Sequence, residues 1–177
     1  MIEGNKVCLR PIASSDTDNI VKWRNSPLVR PFFIDHTPLT REIHENWLMT
    51  RVFTGNTAQF IIVSKEDECD IGTVYLRDID KIHRNAEFGI YIGDPDHRQK
   101  GMGNEAATLI CRYGFEELGL HRIFLRVLSS NALAIHCYER IGFQMEGTFR
   151  QHAFNGERFC DISFMGYLNP ASAGEKE

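Results

Sequence analysis

Six consecutive residues, Arg98-Gln99-Lys100-Gly101-Met102-Gly103, place two basic side chains and two glycines between an apolar segment and an amphipathic one. Segment 87–92 is apolar and ends at the turn residues 93–96, and segment 104–118 has apolar residues at helical spacing. The six residues therefore join a strand to a helix. Glycine lets the main chain approach a ligand closely, and the first N–H groups of a helix lack partners within it. With the basic side chains, they predict a binding site for a diphosphate group.

Two common phosphate-binding loops do not fit this segment. The pattern Gly-x-x-x-x-Gly-Lys-Ser/Thr is absent, and Gly-x-Gly-x-x-Gly is incomplete because its third glycine is replaced by Ala106. Taken alone, the loop has a second interpretation, a glycine helix entry whose basic residues are merely solvated.

A second segment, 129–143, has the pattern of a capped helix. Asn131 suits the N-cap, and Gly142 suits the left-handed position after the last turn. Asn131 and Tyr138 are seven residues apart, so they share one helix face at a separation of about 10 Å along the axis. Without further information, Tyr138 could be a core aromatic residue whose hydroxyl reaches the surface.

The two segments, in this order, resemble the two acetyl-CoA signatures of the GNAT N-acetyltransferase family. The matching patterns are Arg-x-x-Gly-x-Gly and Asn-x-x-Ala-x-x-x-Tyr-x-x-x-Gly-Phe. Segments 82–88, 120–125 and 142–147 are similar to bacterial spermidine N-acetyltransferases and to the branch that acetylates ribosomal-protein N-termini. Segment 23–25, followed by Val29-Arg30, is similar to the branch that acetylates nucleotide-linked amino sugars.

The resemblance implies the cofactor and its contacts. In this family acetyl-CoA is the co-substrate, the asparagine holds the pantetheine arm, and the tyrosine lies beside the thioester sulfur, which makes Tyr138 the expected general acid. Main-chain groups of the strand before the loop pair with the pantetheine amides, and Arg140 is a further candidate for a phosphate contact. The expected cofactor-binding residues are Ile90, Tyr91, Ile92, Arg98, Gln99, Lys100, Gly101, Met102, Gly103, Asn104, Asn131, Ala134 and Arg140.

Glu87 is the candidate for the general base or for the group that orients the amine. Strand alternation places Glu87, Gly89 and Tyr91 on one face, and the missing side chain at Gly89 could open a cleft. An alkyl ammonium has a pKa near 10, so only about one molecule in a thousand is nucleophilic at pH 7. A carboxylate or an ordered water that removes the proton would supply reactivity. The other interpretation of Glu87, an ordinary solvated carboxylate, stays open.

Residues between the first two predicted helices are candidates for the acceptor site. Phe33, Asp35 and His36 are expected to bind substrate, although Phe32 and Phe33 could equally belong to the core. Spermidine acetyltransferases are rich in acidic residues in this region, whereas this chain has only Asp35, with Glu42 and Glu45 further along.

The leading functional hypothesis is acetyl-CoA-dependent N-acetyl transfer to a primary amine by direct attack, with a polyamine such as spermidine as one acceptor. A protein N-terminus and a nucleotide-linked amino sugar are the alternative acceptors. A hypothesis of another class is a non-catalytic acetyl-CoA-binding module, against which the intact Tyr138 argues.

Composition and residue spacing bear on the partners, the location and the metal content of the protein. The net charge is −4 and there is no long basic cluster, so a nucleic-acid partner is not expected. No apolar run is long enough for a membrane span. The five scattered cysteines and the histidines lack the spacing of disulfide frameworks or metal sites. We therefore expect a cytoplasmic enzyme with reduced thiols and no metal, and a homo-oligomer by resemblance.

The predicted fold class is α/β with a mixed sheet, the GNAT fold. Its central sheet should be largely antiparallel with splayed central strands and about four flanking helices, in one domain of 1–168 followed by a disordered tail of 169–177. Predicted strands are Lys6–Arg10, Thr57–Ser64, Asp70–Asp78, Asn85–Ile92, Arg122–Val127, Phe143–His152 and Arg158–Leu168. Predicted helices are Ser15–Asn25, Thr40–Val52, Asn104–Leu118 and Asn131–Ile141.

Overall fold

The computed structural model describes residues 1–172 and builds them around one eight-stranded sheet flanked by four α-helices. The strands are β1 (Ile2–Glu3), β2 (Val7–Pro11), β3 (Ala58–Ser64), β4 (Asp70–Asp80), β5 (Asn85–Ile92), β6 (Arg122–Leu128), β7 (Gln144–Phe154) and β8 (Phe159–Leu168). The helices are α1 (Thr17–Asn25), α2 (Arg41–Trp47), α3 (Met102–Glu116) and α4 (Ala132–Ile141), and α2 continues into a π-helical turn, Leu48–Val52.

The sheet order is β1-β2-β3-β4-β5-β6-β8-β7, and β5 with β6 is its only parallel pair in the described chain. That pair is short. It runs from Asn85 opposite Arg122 to Glu87 opposite Phe124 and then stops. On their outer sides β5 stays paired with β4 to Ile92, and β6 stays paired with β8 to Leu128. The two central strands therefore splay apart beyond Glu87, which confirms the predicted fold class.

Alternating side chains on the sheet fill two cores, one on each face. The larger core lies beneath α3, where Val74, Ile110 and Ile123 are fully buried. The smaller core lies on the opposite face beneath α1 and α2, with Trp23 and Ile61 among its members. Each face of β5 thus contacts a different core, because successive strand residues point to opposite sides.

The predicted elements are all present, with small differences at their ends. Helix α3 begins at Met102 instead of Asn104, and β7 runs to Phe154. The Asn155-Gly156 pair between two apolar segments indicates a hairpin, and the structure has one between β7 and β8. The Asn155 side-chain oxygen accepts hydrogen bonds from the N–H groups of Glu157 and Arg158. Strand β1 was not predicted, because two residues carry no periodic pattern.

The start of the predicted tail has hydrogen-bond partners. The Asn169 N–H donates to the His121 carbonyl at 2.8 Å, and its side-chain amide donates to the Leu120 carbonyl at 3.3 Å. Pro170–Ser172 then form a 3-10 turn. Residues 169–172 are therefore placed where the sequence predicted disorder, while 173–177 lie outside the described residues.

A buried histidine joins two loops at the edge where β5 ends. His97 Nδ1 lies 2.9 Å from Asp94 Oδ1, and its Nε2 lies 3.1 Å from Asp67 Oδ2 in the turn between β3 and β4. Hydrogen bonds to Asp94, opposed by burial and helped by the charge of Asp67, raise the pKa of His97. Only an imidazolium can donate to both carboxylates at once. His97 therefore stabilises the loop that leads into α3 when it is protonated.

We expect His97→Gln to lower the melting temperature by a few degrees at pH 6 and by less at pH 8.5. The folded-state pKa is raised, so this stabilisation is complete below the unfolded value of about 6.5 and is lost as the pH rises through the folded value. Thermal unfolding of both proteins at the two pH values measures the difference. His83→Gln, which changes an exposed histidine in the β4–β5 turn, is the control. A His97→Gln difference that is equal at both pH values would contradict the role of the imidazolium.

Candidate active site

A V-shaped cleft opens between β5 and β6 where their ladder stops. Because β6 no longer pairs with residues 88–92, half of the main-chain groups of that segment face the cleft instead of a neighbouring strand. The predicted contacts at Ile90, Tyr91 and Ile92 all lie on this free edge. Such an edge can pair with an extended amide-containing ligand in the manner of an added strand.

The Arg98–Gly103 loop lies at the open end of β5 and leads directly into α3. Gly101 is its N-cap with a φ of 80°, a conformation that a Cβ would strain, and no side chain caps the helix. A Cβ at Gly103 would have only Ile92 Cγ1 nearby, at 3.6 Å, so the space above the first turn is open. The first-turn N–H groups of Met102, Gly103 and Asn104 can therefore bind an anion such as a diphosphate.

Lys6 adds a basic residue to this loop, and no pattern of neighbouring residues predicts it. Its Nζ donates to the Lys100 carbonyl at 3.0 Å and lies 3.5 Å from the Cβ position of Gly101. Arg98 is partly engaged elsewhere, because its Nη1 donates to the Leu28 carbonyl at 2.7 Å. Gln99 and Lys100 are exposed. The loop thus has positive charge on two sides.

Helix α4 positions Asn131 and Tyr138 as the spacing predicted. The Asn131 side chain accepts a hydrogen bond from the Ala134 N–H at 3.2 Å, which confirms it as the N-cap. Gly142 ends the helix with a φ of 126°. Arg140 is exposed on this helix, and among residues 1–172 no ion pair ties it to the loop.

Two aromatic rings hold the phenol of Tyr138. Its ring lies edge-on to Phe88 at 5.8 Å and to Phe143 at 6.0 Å between centroids, and Phe88 is the first β5 residue beyond the split. Burial raises the pKa of Tyr138, and the nearby Tyr75 raises it further. The phenol is therefore protonated throughout the physiological range and can donate a hydrogen bond at the apex of the cleft.

Glu87 occupies the same apex but is fully engaged by two guanidinium groups. Arg126 on β6 donates to both carboxylate oxygens at 2.9 and 3.0 Å, and Arg77 on β4 donates through Nε at 3.1 Å. Burial alone would raise the pKa of Glu87, but the hydrogen bonds from Arg126 and Arg77 leave it below its ordinary value. A carboxylate held this way is a poor proton acceptor, so the structure argues against the predicted base role.

Gly89 does not open the cleft, contrary to the prediction. A Cβ at Gly89 would overlap the ring of Tyr75, which fills the space that the missing side chain leaves. Burial raises the pKa of Tyr75 as well. Tyr75 lies directly opposite Gly89 in the β4–β5 register, and sequence alone does not supply that register.

The predicted acceptor residues lie on the Glu87 face of β5. The Phe33 ring is edge-on to Tyr91 at 5.5 Å, and the Arg24 guanidinium carbon lies 3.5 Å from the centroid of the Phe33 ring. Asp35 is exposed and accepts a hydrogen bond from the Thr37 N–H, while His36 is half-buried. Phe32 is 51% exposed and so is not part of the core, the alternative left open for it.

Within residues 1–172, no group of three or more His, Cys, Asp or Glu side chains is arranged to hold a metal ion. No helix in this range combines the length and the apolar character that a membrane span requires. The five cysteines are free. The cytoplasmic location stays a prediction.

Comparison with known proteins adds independent evidence. Residues 6–144 match the model of the acetyltransferase (GNAT) domain. A spermidine N(1)-acetyltransferase of Escherichia coli K12 is 31% identical over 161 residues, covering 89% of this chain and 83% of the relative.

Solved structures agree with the sequence comparison. The spermidine N-acetyltransferase of Vibrio cholerae, crystallised with CoA and spermine, superposes with a TM-score of 0.86 at 28% identity, covering 93% of this chain and 96% of the other. A dodecameric form of the Vibrio cholerae enzyme has a TM-score of 0.81 at 28% identity and covers 98% of this chain and 100% of its own.

The splayed central strands, the open helix entry after β5 and the phenol at the apex agree with what the family match implies about the ligand. The space and the unpartnered N–H groups at the loop suit the diphosphate of coenzyme A. The chain belongs to the GNAT acetyltransferase family and is an N-acetyltransferase that uses acetyl-CoA.

Proposed function

We propose that this chain transfers an acetyl group directly to the primary amine of a small acceptor within the β5–β6 cleft, with Tyr138 as the general acid. One observation carries the proposal. A single cleft joins an anion-binding helix entry at its open end to a half-buried, protonated phenol at its apex. Loop and phenol lie at opposite ends of the free edge of β5, along which an extended cofactor would lie.

The residues that would hold acetyl-CoA fall into three groups. The diphosphate would rest on the loop residues 98–104, and Lys6 would add a positive charge. The pantetheine amides would pair with the main chain of residues 90–92. Asn131 and Ala134, in the first turn of α4, would border the arm on the β6 side. When bound, acetyl-CoA supplies the thioester whose carbonyl carbon the amine attacks.

The chain's own groups then control charge and protons. The acceptor nitrogen forms a bond to the acetyl carbon, and the C–S bond breaks. Before attack the bound ammonium loses one proton through water to solvent. The Tyr138 hydroxyl then donates its proton to the departing sulfur, and the second proton lost by the nitrogen returns through water to the phenolate. A main-chain N–H of the free edge of β5 polarises the thioester oxygen. No covalent enzyme intermediate is needed.

Two lines of evidence concern the identity of the acceptor, and they point to different acceptors. The relatives are named for spermidine, which supports a polyamine as acceptor. The described residues near the cleft supply little acidic surface for a polycation: Glu87 is neutralised by two arginines, and Glu42 and Glu45 are exposed on α2. We also propose a homo-oligomer, supported by the dodecameric relative.

We expect Tyr138→Phe to lower kcat by roughly tenfold or more, because the thiolate then leaves without a proton donor. The dissociation constant for acetyl-CoA should change by less than about twofold, since the ring and its packing remain. Thiol release from acetyl-CoA measures kcat, and calorimetry measures binding.

Tyr113→Phe is the matched control for this variant. Tyr113 lies on α3 with its ring edge-on to Phe60 at 5.4 Å, away from the cleft, so loss of its hydroxyl should leave kcat unchanged. A Tyr138→Phe protein with the wild-type kcat would exclude the phenol as the acid.

Gly103→Val should weaken acetyl-CoA binding by roughly tenfold or more without unfolding the protein, because the new side chain enters the open space that the diphosphate would occupy. Binding is measured by calorimetry and folding by thermal unfolding. Gly147→Val is a control, since Gly147 in β7 also has open space around its Cβ position. Equal affinity in Gly103→Val and the wild type would remove the loop from the cofactor site.

Glu87→Gln should destabilise the fold by about 3 kcal/mol, the low end of the cost of breaking a buried ion pair, because Arg77 and Arg126 lose their common counter-charge but are themselves partly exposed. Chemical denaturation measures this loss. The pH dependence of kcat in the folded variant should keep the wild-type shape, since Glu87 is not the group that takes the proton. A hundredfold fall in kcat with unchanged stability would instead restore Glu87 as the base.

A further inference from the structure

We propose that the acceptor carries an oxyanion, a phosphate or a carboxylate, close to its reactive amine, and that Arg24 binds this group in the wall of the cleft. The inference rests on the proposed acetyl transfer and specifies its acceptor. It concerns the segment 24–36, which connects α1 to the 3-10 turn Arg30–Phe32 and continues to His36.

Arg24 has a buried guanidinium nitrogen without a partner among the described residues. Its Nη2 donates to the Asp35 carbonyl at 2.5 Å, and the guanidinium plane lies over the Phe33 ring. Its Nη1 is buried and makes no hydrogen bond to any described residue. A charged donor withdrawn from water without an acceptor is costly, and a ligand oxygen at Nη1 would remove that cost.

Two further polar atoms in the same segment share this property. Ser26 Oγ and His36 Nε2 are also buried without partners. Within residues 1–172, three of the six buried side-chain atoms that lack a partner therefore fall in segment 24–36. The Asp35 carbonyl accepts from Arg24 and the His36 carbonyl accepts from Arg30, so these contacts hold residues 35–36 against the end of α1 and the turn that follows it. Arg24 can only donate and the Ser26 hydroxyl can donate, so both suit a ligand rich in oxygen atoms.

Contacts place segment 24–36 beside the free edge of β5. The Phe33 ring, which lies under the Arg24 guanidinium, is edge-on to Tyr91. Tyr91 points to the Glu87 face, two residues beyond Gly89. Burial raises the pKa of Tyr91, and the positive charge of Arg24 opposes that rise. An acceptor whose amine lies in the cleft would thus have Arg24 within reach.

The charge balance of this face opposes a polycation. Glu87, the buried carboxylate of β5, is matched by both Arg77 and Arg126, and Arg24 adds a third guanidinium beside this strand. The other buried carboxylate, Asp16 at the start of α1, is paired with Arg10. Asp35 is exposed, and its carboxylate accepts from Thr37. Several ammonium groups would be repelled, and an oxyanion would be attracted. The same positive charge lowers the pKa of a nearby amine and so increases its neutral, nucleophilic fraction.

Matched acceptor pairs test the inference and separate the two oxyanions. The phosphate arm compares glucosamine with its 1-phosphate and 6-phosphate, and the carboxylate arm compares the dipeptide Ala-Ala with its C-terminal amide. Spermidine is assayed beside them. With thiol release as the readout, we expect kcat/KM for an anionic member to exceed that of its neutral partner by roughly tenfold or more, and to exceed that of spermidine.

Arg24→Gln should remove this preference through the acceptor KM while the KM for acetyl-CoA stays unchanged. Lys22→Gln is the control, because Lys22 lies on the same helix, is exposed, and loses the same charge. If Arg24→Gln unfolds at the assay temperature, Arg24→Lys keeps the charge without the forked donors. It should lower the preference by a smaller factor.

Spermidine as the best acceptor, or an anionic preference that is the same in Arg24→Gln as in the wild type, would overturn the inference and leave the proposed acetyl transfer intact. Absence of thiol release with every amine, despite acetyl-CoA binding, would overturn both.

Discussion

The geometry of this enzyme depends on the point where β5 and β6 separate, and the ion pairs of Glu87 fix that point. Glu87 is the last β5 residue in the parallel ladder, and it joins three strands: Arg77 on β4 and Arg126 on β6 both donate to it. Beyond it, each central strand keeps only its outer partner. The buried carboxylate therefore sets where pairing ends and where the cleft begins, and its loss would leave two guanidiniums without a counter-charge.

Because successive side chains of β5 point to opposite faces of the sheet, this one strand borders both the cofactor side and the proposed acceptor side of the cleft. Phe88, Ile90 and Ile92 face the core beneath α3 and α4, the helices that carry the anion-binding loop and Tyr138. Gly89 and Tyr91 face the other side, where α1 and segment 24–36 form the proposed acceptor wall. Cofactor and acceptor can therefore approach the same stretch of main chain from opposite faces of the sheet. Splaying is what lets them meet, since a continuous ladder would separate them.

Features that depend on neighbouring residues could be predicted from the sequence. Features that depend on which residues face each other across the strands could not. Residues close in sequence determine the strand alternation, the helical spacing, the turn at Asn155-Gly156 and the cap at Asn131. The structure confirms all four. The partners of Glu87 lie 10 and 39 residues away, so its sequence context suggested a free carboxylate. Likewise Lys6 reaches the loop from 94 residues away. In each case the sheet order decides which residues meet.

The same long-range contacts change how the proton balance of the reaction is understood. A site that depends on a carboxylate base needs that carboxylate free, and here it is engaged by two guanidiniums. The alternative is to supply neutral amine through the field of the cleft. Each unit by which nearby positive charge lowers the pKa of an alkyl amine increases the neutral fraction about tenfold at pH 7. Burial meanwhile keeps Tyr138 protonated. Positive charge beside the nucleophile and an apolar setting for the acid thus act together, and the base can be water.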